Sequence, residues 1–333
     1  MTASDRMTFA LVGCGAVAQA HIPTLLESAD AELTLLVDKS VDRAKELGAT
    51  FGVDQAIDDF NDVPGRADAA IVAVPHHLHA PITIGLLEKG VHVMVEKPMA
   101  MTTSECDAMI EAGRVGNATL AVGHLRRFFH SSRFIKRAVE GGMLGKITGF
   151  DMREGMVYSW PAASDFTFKA AAGGGVLADQ GAHALDILMH WLGDWDSVDY
   201  FDDSDGGVDA DALLKLRLKS GASGTVELSR TRDLRHSVIL TGELGELEVE
   251  TKFDSQIEIR LSGEASYLTG RTLRDDDPAD DVTDIFRRQL AEFVSAIREG
   301  REPLVSGAEA RRAVALMEQC RNSRQPLALP WRA

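Results

Sequence analysis

Asp179 and His183 stand four residues apart in Gly173-Gly-Gly-Val-Leu-Ala-Asp179-Gln-Gly-Ala-His183-Ala-Leu-Asp186, which makes them neighbours on one face if the segment is helical. Such a pair can share a proton, and histidine changes charge near neutral pH, so the chemistry on offer is general acid/base catalysis. A reaction that needs it is the removal of a hydroxyl proton while a hydride leaves the same carbon. The plainer alternative is a helix-surface pair, or a core histidine satisfied by a carboxylate. Asp186 and His190 continue the stripe, but this spacing alone assembles no ligand geometry, and no metal is expected. A second charged pair closes Val93-Met-Val-Glu96-Lys97-Pro98. It follows an apolar run, at the strand edge where open α/β sheets bind ligands; a surface ion pair before a proline turn accounts for it equally well.

Gly13-Cys-Gly15-Ala-Val-Ala18 follows an apolar run and opens an amphipathic one. In that context G-x-G-x-x-A reads as a dinucleotide fingerprint: the first glycine permits a tight turn, the second lets backbone approach a pyrophosphate, and the small third residue allows close helix–strand packing. Amides at the helix start, at Ala16 and Val17, would face the phosphates. A tight turn with no ligand is the alternative. Asp38, about twenty residues on, is where a carboxylate accepts from the adenosine ribose hydroxyls. It would repel the extra phosphate of NADP, so NAD is the expected cofactor; Lys39 beside it partly offsets the repulsion, and NADP stays open.

The elements that must position these residues change character along the chain. Thr8–Val12, Glu32–Val37, Ala69–Val74, His92–Val95 and Thr119–Val122 read as strands, and Val17–Glu27, Val41–Leu47, Pro81–Glu88 and Ser104–Gly113 as helices, with Ser104 as a cap and Gly90 as a stop. This alternation predicts a doubly wound parallel α/β sheet over 1–123. From 124 to 333 the pattern is that of half-buried antiparallel strands, clearest at Ala212–Lys219, Gly224–Ser229, His236–Thr241 and Leu247–Glu250, giving an α+β domain. An acidic loop, Arg274–Asp281, precedes helices over Val282–Arg298 and Gly307–Asn322, with the C-terminal helix packing back on the first domain.

Composition bounds the function. With 333 residues, two domains are a better prior than one. A net charge of −16 repels nucleic acid and anionic lipid, and no apolar run approaches the roughly 20 residues that cross a bilayer. Cys14, Cys106 and Cys320 suit neither a disulfide framework nor a zinc site. The opening Met1–Arg6 runs into a strand with no cleavage pattern, so a cytoplasmic location is expected.

The glycine turn, Glu96-Lys97-Pro98 and Gly174-Gly-Val-Leu-Ala-Asp179-x-Gly-x-His183-x-x-Asp186, in this order, resemble the Gfo/Idh/MocA oxidoreductases over most of the chain. The resemblance implies an N-terminal Rossmann domain, a C-terminal domain with a large open antiparallel sheet, and homodimers or homotetramers formed through that sheet. It puts the active site between domains, with His183 as general acid/base, Asp179 orienting it, Lys97 holding the reacting oxygen, and Glu96 and Pro98 shaping the turn. Val74-Pro75-His76-His77-Leu-His79 resembles the family's small-Pro-x-x-x-His turn, over which the cofactor passes; a three-histidine metal site is the alternative.

For substrate, Arg126 in Gly123-His124-Leu-Arg126-Arg127 could reach a carboxylate, a phosphate or sugar hydroxyls, and Tyr158 and Trp160 could stack on a sugar ring; a solvated arginine and core aromatics are the alternatives. The expected activity is hydride transfer between nicotinamide and a hydroxyl or keto carbon of a sugar, polyol or sugar derivative. An NADP-dependent keto-sugar or nucleotide-sugar reductase, a hydrolase using NAD transiently, and a non-catalytic dinucleotide sensor are the competing readings.

Overall fold

The computed structural model describes residues 6–159, 165–251, 256–261, 267–271 and 282–328. These fall into two compact units, one built from the residues up to Leu125 with Val282–Val314, the other from the stretch beginning at Arg126 with the residues from Ala315 onward.

In the first unit, strands β1 Met7–Val12, β2 Ala31–Val37, β3 Ala56–Ile57, β4 Ala69–Val72, β5 His92–Val95 and β6 Leu120–Val122 make one sheet, ordered β3-β2-β1-β4-β5-β6. Every pairing is parallel. Helices α1 Ala18–Glu27, α2 Val41–Phe51, α3 His79–Leu87 and α4 Thr103–Gly116 connect them. Parallel strands covered on both faces must be apolar throughout, and all of β4 is buried. The strand order reverses between β1 and β4, and the crevice at the strands' carboxyl ends there is the dinucleotide position of this architecture.

Local chemistry moves several boundaries. Helix α2 continues through Gly48, where a Cβ would lie 2.3 Å from the Val53 carbonyl oxygen, and stops at Gly52 with φ +76. Helix α4 is capped by Thr102, not Ser104: Thr102 Oγ1 accepts the Glu105 amide and the Glu105 carboxylate accepts the Thr102 amide, a reciprocal box. The expected stop at Gly90 does adopt positive φ, at +80.

The second unit contains α5 His130–Glu140, β7 Ile147–Gly155, α6 Ala182–Leu192, β8 Trp195–Asp202, β9 Asp211–Leu218, β10 Ser223–Ser229, β11 Ser237–Gly242, β12 Gly245–Glu250, β13 Gln256–Leu261 and β14 Tyr267–Arg271. Its nine-stranded sheet runs β14-β13-β12-β11-β7-β10-β9-β8 and ends on β15, Arg324–Pro326. The sheet is mixed, not purely antiparallel, because β10 pairs parallel to β7 and β15 parallel to β8. One face buries Phe150, Met152, Leu214, Leu216, Val226 and Leu228. The other carries ion pairs such as Arg153–Asp151 at 3.0 Å, Arg235–Asp151 at 2.7 Å and Arg260–Glu258 at 2.6 Å.

Helices α7 Val282–Glu299 and α8 Gly307–Asn322 follow. The α7 stripe Leu290, Phe293 and Val294 joins the core of β1 and α1, with Phe293 edge-on to Phe9 at 6.2 Å. The loop expected over Arg274–Asp281 lies outside the described residues. No described helix is long and apolar enough to cross a membrane.

Candidate active site

Gly13 sits at φ +102, and a Cβ there would lie 2.3 Å from the Ala73 carbonyl oxygen and 3.0 Å from Val74. The turn after β1 is thereby pressed against the turn after β4, which only glycine allows. Around Gly15 a Cβ would meet nothing within 4 Å, so this backbone is open to a ligand. Helix α1 begins after exposed Ala16 and Val17 with no side-chain cap and no acidic residue in its first turn. A positively polarised helix start beside open glycine backbone fits a pyrophosphate.

Asp38 follows β2 and is tied to the same turn. One oxygen accepts the Cys14 amide at 2.9 Å, the other the Ser40 amide at 2.9 Å, and Arg43 stands 3.7 Å away. Lys39 is exposed. Burial, then the Asp38 charge, push the Cys14 thiol up to about 12, so it stays protonated and is no nucleophile.

After β4, Val74 and Pro75 are half-buried and His76 is buried. His79 is wholly buried; its Nδ1 lies 2.7 Å from the Pro98 carbonyl and its Nε2 2.9 Å from the Val74 carbonyl. The ring, expected to meet the cofactor, instead joins the turn after β4 to the turn after β5. Burial depresses its pKa, against the two carbonyls, which raise it.

Glu96 and Lys97 follow β5, with a cis Lys97–Pro98 peptide. Glu96 is not a surface ion-pair partner: it is buried, with His21 Nε2 of α1 2.8 Å from Oε1 and the Lys97 amide donating to Oε2 at 3.2 Å. Burial alone would raise the Glu96 carboxyl, but the bond and charge of His21 and the charge of Lys97 hold it below the usual carboxylate range. A side chain at Gly123 would strike this carboxylate at 2.9 Å. Lys97 is half-buried at the carboxyl edge of the sheet.

In the second unit, Leu177–Gly181 winds as a π turn that runs into α6. Asp179 lies in the π turn and His183 in α6, so the α spacing assumed from the sequence applies only from Ala182 onward. Asp179 Oδ2 accepts from Arg230 Nη2 at 2.6 Å. Arg230 lies over the Tyr158 ring, 5.7 Å from its centroid, and the ring's edge contact with Phe168 is at 5.4 Å.

Arg126 is not a solvated arginine awaiting a ligand. Its Nη1 and Nη2 donate to Glu154 at 2.5 and 2.7 Å, and the Glu154 side chain is 4% exposed. The fork expected to face substrate is filled by a carboxylate of its own unit. Asp186 is likewise taken, by Arg127 at 2.9 and 2.6 Å in a buried pair, which explains its place in the stripe without a metal. Among the described residues, no group of three or more His, Cys, Asp or Glu side chains could hold a metal ion. Trp160 lies outside the described residues. His21, Glu154 and Arg230 went unnoticed in the sequence, since their partners are 75, 28 and 51 residues away and no local spacing signals them.

Family models for this arrangement match nearly the whole chain: the Gfo/Idh/MocA oxidoreductase family, NAD-binding Rossmann fold, over residues 7–124, and its C-terminal alpha/beta domain over residues 136–328. Similar curated proteins include a myo-inositol 2-dehydrogenase of Thermotoga maritima, 26% identical over 93% of this chain and 94% of its own. A scyllo-inositol 2-dehydrogenase (NAD(+)) of Bacillus subtilis is 28% identical over 90% of this chain and 89% of its own. Among solved structures, the aldose-aldose oxidoreductase of Caulobacter crescentus shares the fold with a TM-score of 0.85 at 24% identity, covering 96% of this chain and 97% of that one. Matched in both its Rossmann and its C-terminal parts, the chain belongs to the Gfo/Idh/MocA family and is an oxidoreductase with an NAD-binding Rossmann fold.

Proposed function

We propose that the protein uses NAD to oxidise a secondary hydroxyl of a sugar, polyol or related derivative to a carbonyl. The observation that carries the reading is the Asp38 carboxylate, held by the Cys14 and Ser40 amides beside open Gly15 backbone. A carboxylate so held accepts from the ribose hydroxyls and repels the 2′-phosphate of NADP; Lys39 and Arg43 temper the repulsion without reversing it. Gly13, Gly15, Ala16 and Val17 take the pyrophosphate, and the turns at Val74–His76 and Glu96–Lys97 line the nicotinamide half.

When bound, the nicotinamide supplies the hydride chemistry, and the chain handles the proton. His183 takes the hydroxyl proton, Asp179 orients and polarises the imidazole, and Lys97 holds the reacting oxygen. Tyr158 packs against the sugar ring; Arg126, engaged by Glu154, is left out of the substrate contacts. Two relatives named for inositol oxidation support a cyclic polyol as the first substrate to try. The reading includes a cytoplasmic homodimer or homotetramer assembled through the charged face of the nine-stranded sheet.

The test is the rate of NADH formation from NAD+ with myo-inositol, scyllo-inositol, D-glucose and methyl glucosides. Turnover of at least one is expected, with NAD+ preferred to NADP+; no turnover with either cofactor across this panel contradicts the proposal.

A further inference from the structure

We infer that Arg230 is the positioning residue of the acid/base pair, acting through Asp179; the inference rests on the catalytic reading of Asp179 and His183 given above. Arg230 is set immediately after β10, and its backbone is clamped on both sides. Its amide donates to the Ala210 carbonyl at 2.8 Å, and its carbonyl accepts the Tyr158 amide at 2.9 Å. The guanidinium rests over the Tyr158 ring, and the side chain is 5% exposed against 32% for Asp179. A buried cation fixed at its stem and over its face has little freedom left, and it presents Nη2 to Asp179 Oδ2 at 2.6 Å.

Arg230 holds the carboxylate at Oδ2 and so fixes the orientation of the group that must itself orient the imidazole. The contact joins a guanidinium to a carboxylate at 2.6 Å. Such charge-assisted bonds fix geometry more firmly than neutral ones. The Arg230 Nε is buried without a hydrogen-bond partner, so the side chain forgoes a bond to keep this orientation.

The experiment is a double-mutant cycle in the full-length protein. Arg230→Met, Arg230→Lys, Asp179→Asn and Arg230→Met/Asp179→Asn are assayed on the substrate found in the panel above, with NADH affinity measured by fluorescence. Arg230→Met is expected to lower kcat about 10- to 100-fold with KM for NAD+ and NADH affinity unchanged. Arg230→Lys restores part of the loss, because a cation returns without the fork. In the Asp179→Asn background, Arg230→Met costs less than about twofold further, as expected for residues acting as a unit. Full, independent losses in the double variant overturn the inference while leaving Asp179 catalytic, and so does wild-type kcat in Arg230→Met. Wild-type kcat in Asp179→Asn, or no turnover by the unmodified protein, overturns the catalytic reading and this inference with it.

Discussion

His183 is a half-buried histidine at the start of α6, and its assigned work is to move one proton. General acid/base assistance is worth about 10²- to 10⁴-fold. His183→Ala is therefore expected to lower kcat by that factor while NADH binds as before; turnover near wild type removes His183 from the mechanism. Spacing singled out the glycine turn with Asp38 about twenty residues on, Lys97 and the Asp179/His183 pair as candidates; the roles of Lys97, Asp179 and His183 came from the family resemblance. What spacing could not reveal is which partner claims a side chain. Arg126 looked available, yet its fork is held by Glu154. For Glu96 the sequence left a surface ion pair and a ligand-binding strand edge equally open, and the residue is buried against His21. Both outcomes are set by tertiary contacts that a burial pattern does not encode.

Elements carry these residues, and their ends decide where the residues point. Thr102 closes the α4 capping box with Glu105, and a capping side chain is worth about 1 kcal/mol. Thr102→Ala should lower unfolding stability by about that amount in urea, with an unchanged slope; no change shows that the box contributes nothing. The signal Thr102-Thr-Ser-Glu105 is present in the sequence, but Ser104 competes as a cap, and only the geometry of the preceding turn chooses between them. The strands β7 and β8 were not anticipated, because Gly149 and the Asp196–Ser197 pair break the apolar alternation that marks a strand. The π turn was hidden for a different reason, since closure at five residues leaves no distinct periodicity in so short a segment.

Between β4 and β5, His79 gives a pH dependence with a definite sign. An unfolded histidine takes up a proton near pH 6.5, and burial holds the folded pKa below that. The stabilisation is complete above about pH 6.5 and is lost as pH falls through the folded value. His92, depressed by burial, acts in the same direction, so the contribution of His79 must be read by difference. From about pH 7 to pH 5, the melting temperature of the wild type should fall more steeply than that of His79→Leu. Equal slopes contradict the assignment.

At the scale of the whole molecule, the parallel sheet follows from alternating apolar runs and amphipathic helices, and that part was readable; the order of its strands and the two-residue β3 were not. The mixed character of the second sheet was not, because β7 and β10 are brought side by side by a crossover whose direction no strand pattern specifies. The apolar stripe of α7 was visible in the sequence, but its partners were not: it packs on β1 and α1, with Phe293 against Phe9. With a net charge of −16, the proposed site attracts the dinucleotide's phosphates locally, through helix amides and open glycine backbone instead of a basic surface. Cofactor recognition is accordingly the central claim. It is tested most directly by fluorescence titration of the protein with NADH and with NADPH. Micromolar binding of NADH, weaker binding of NADPH and a reversal of that order in Asp38→Ser are predicted; binding of neither dinucleotide, or a wild-type preference for NADPH, contradicts the account.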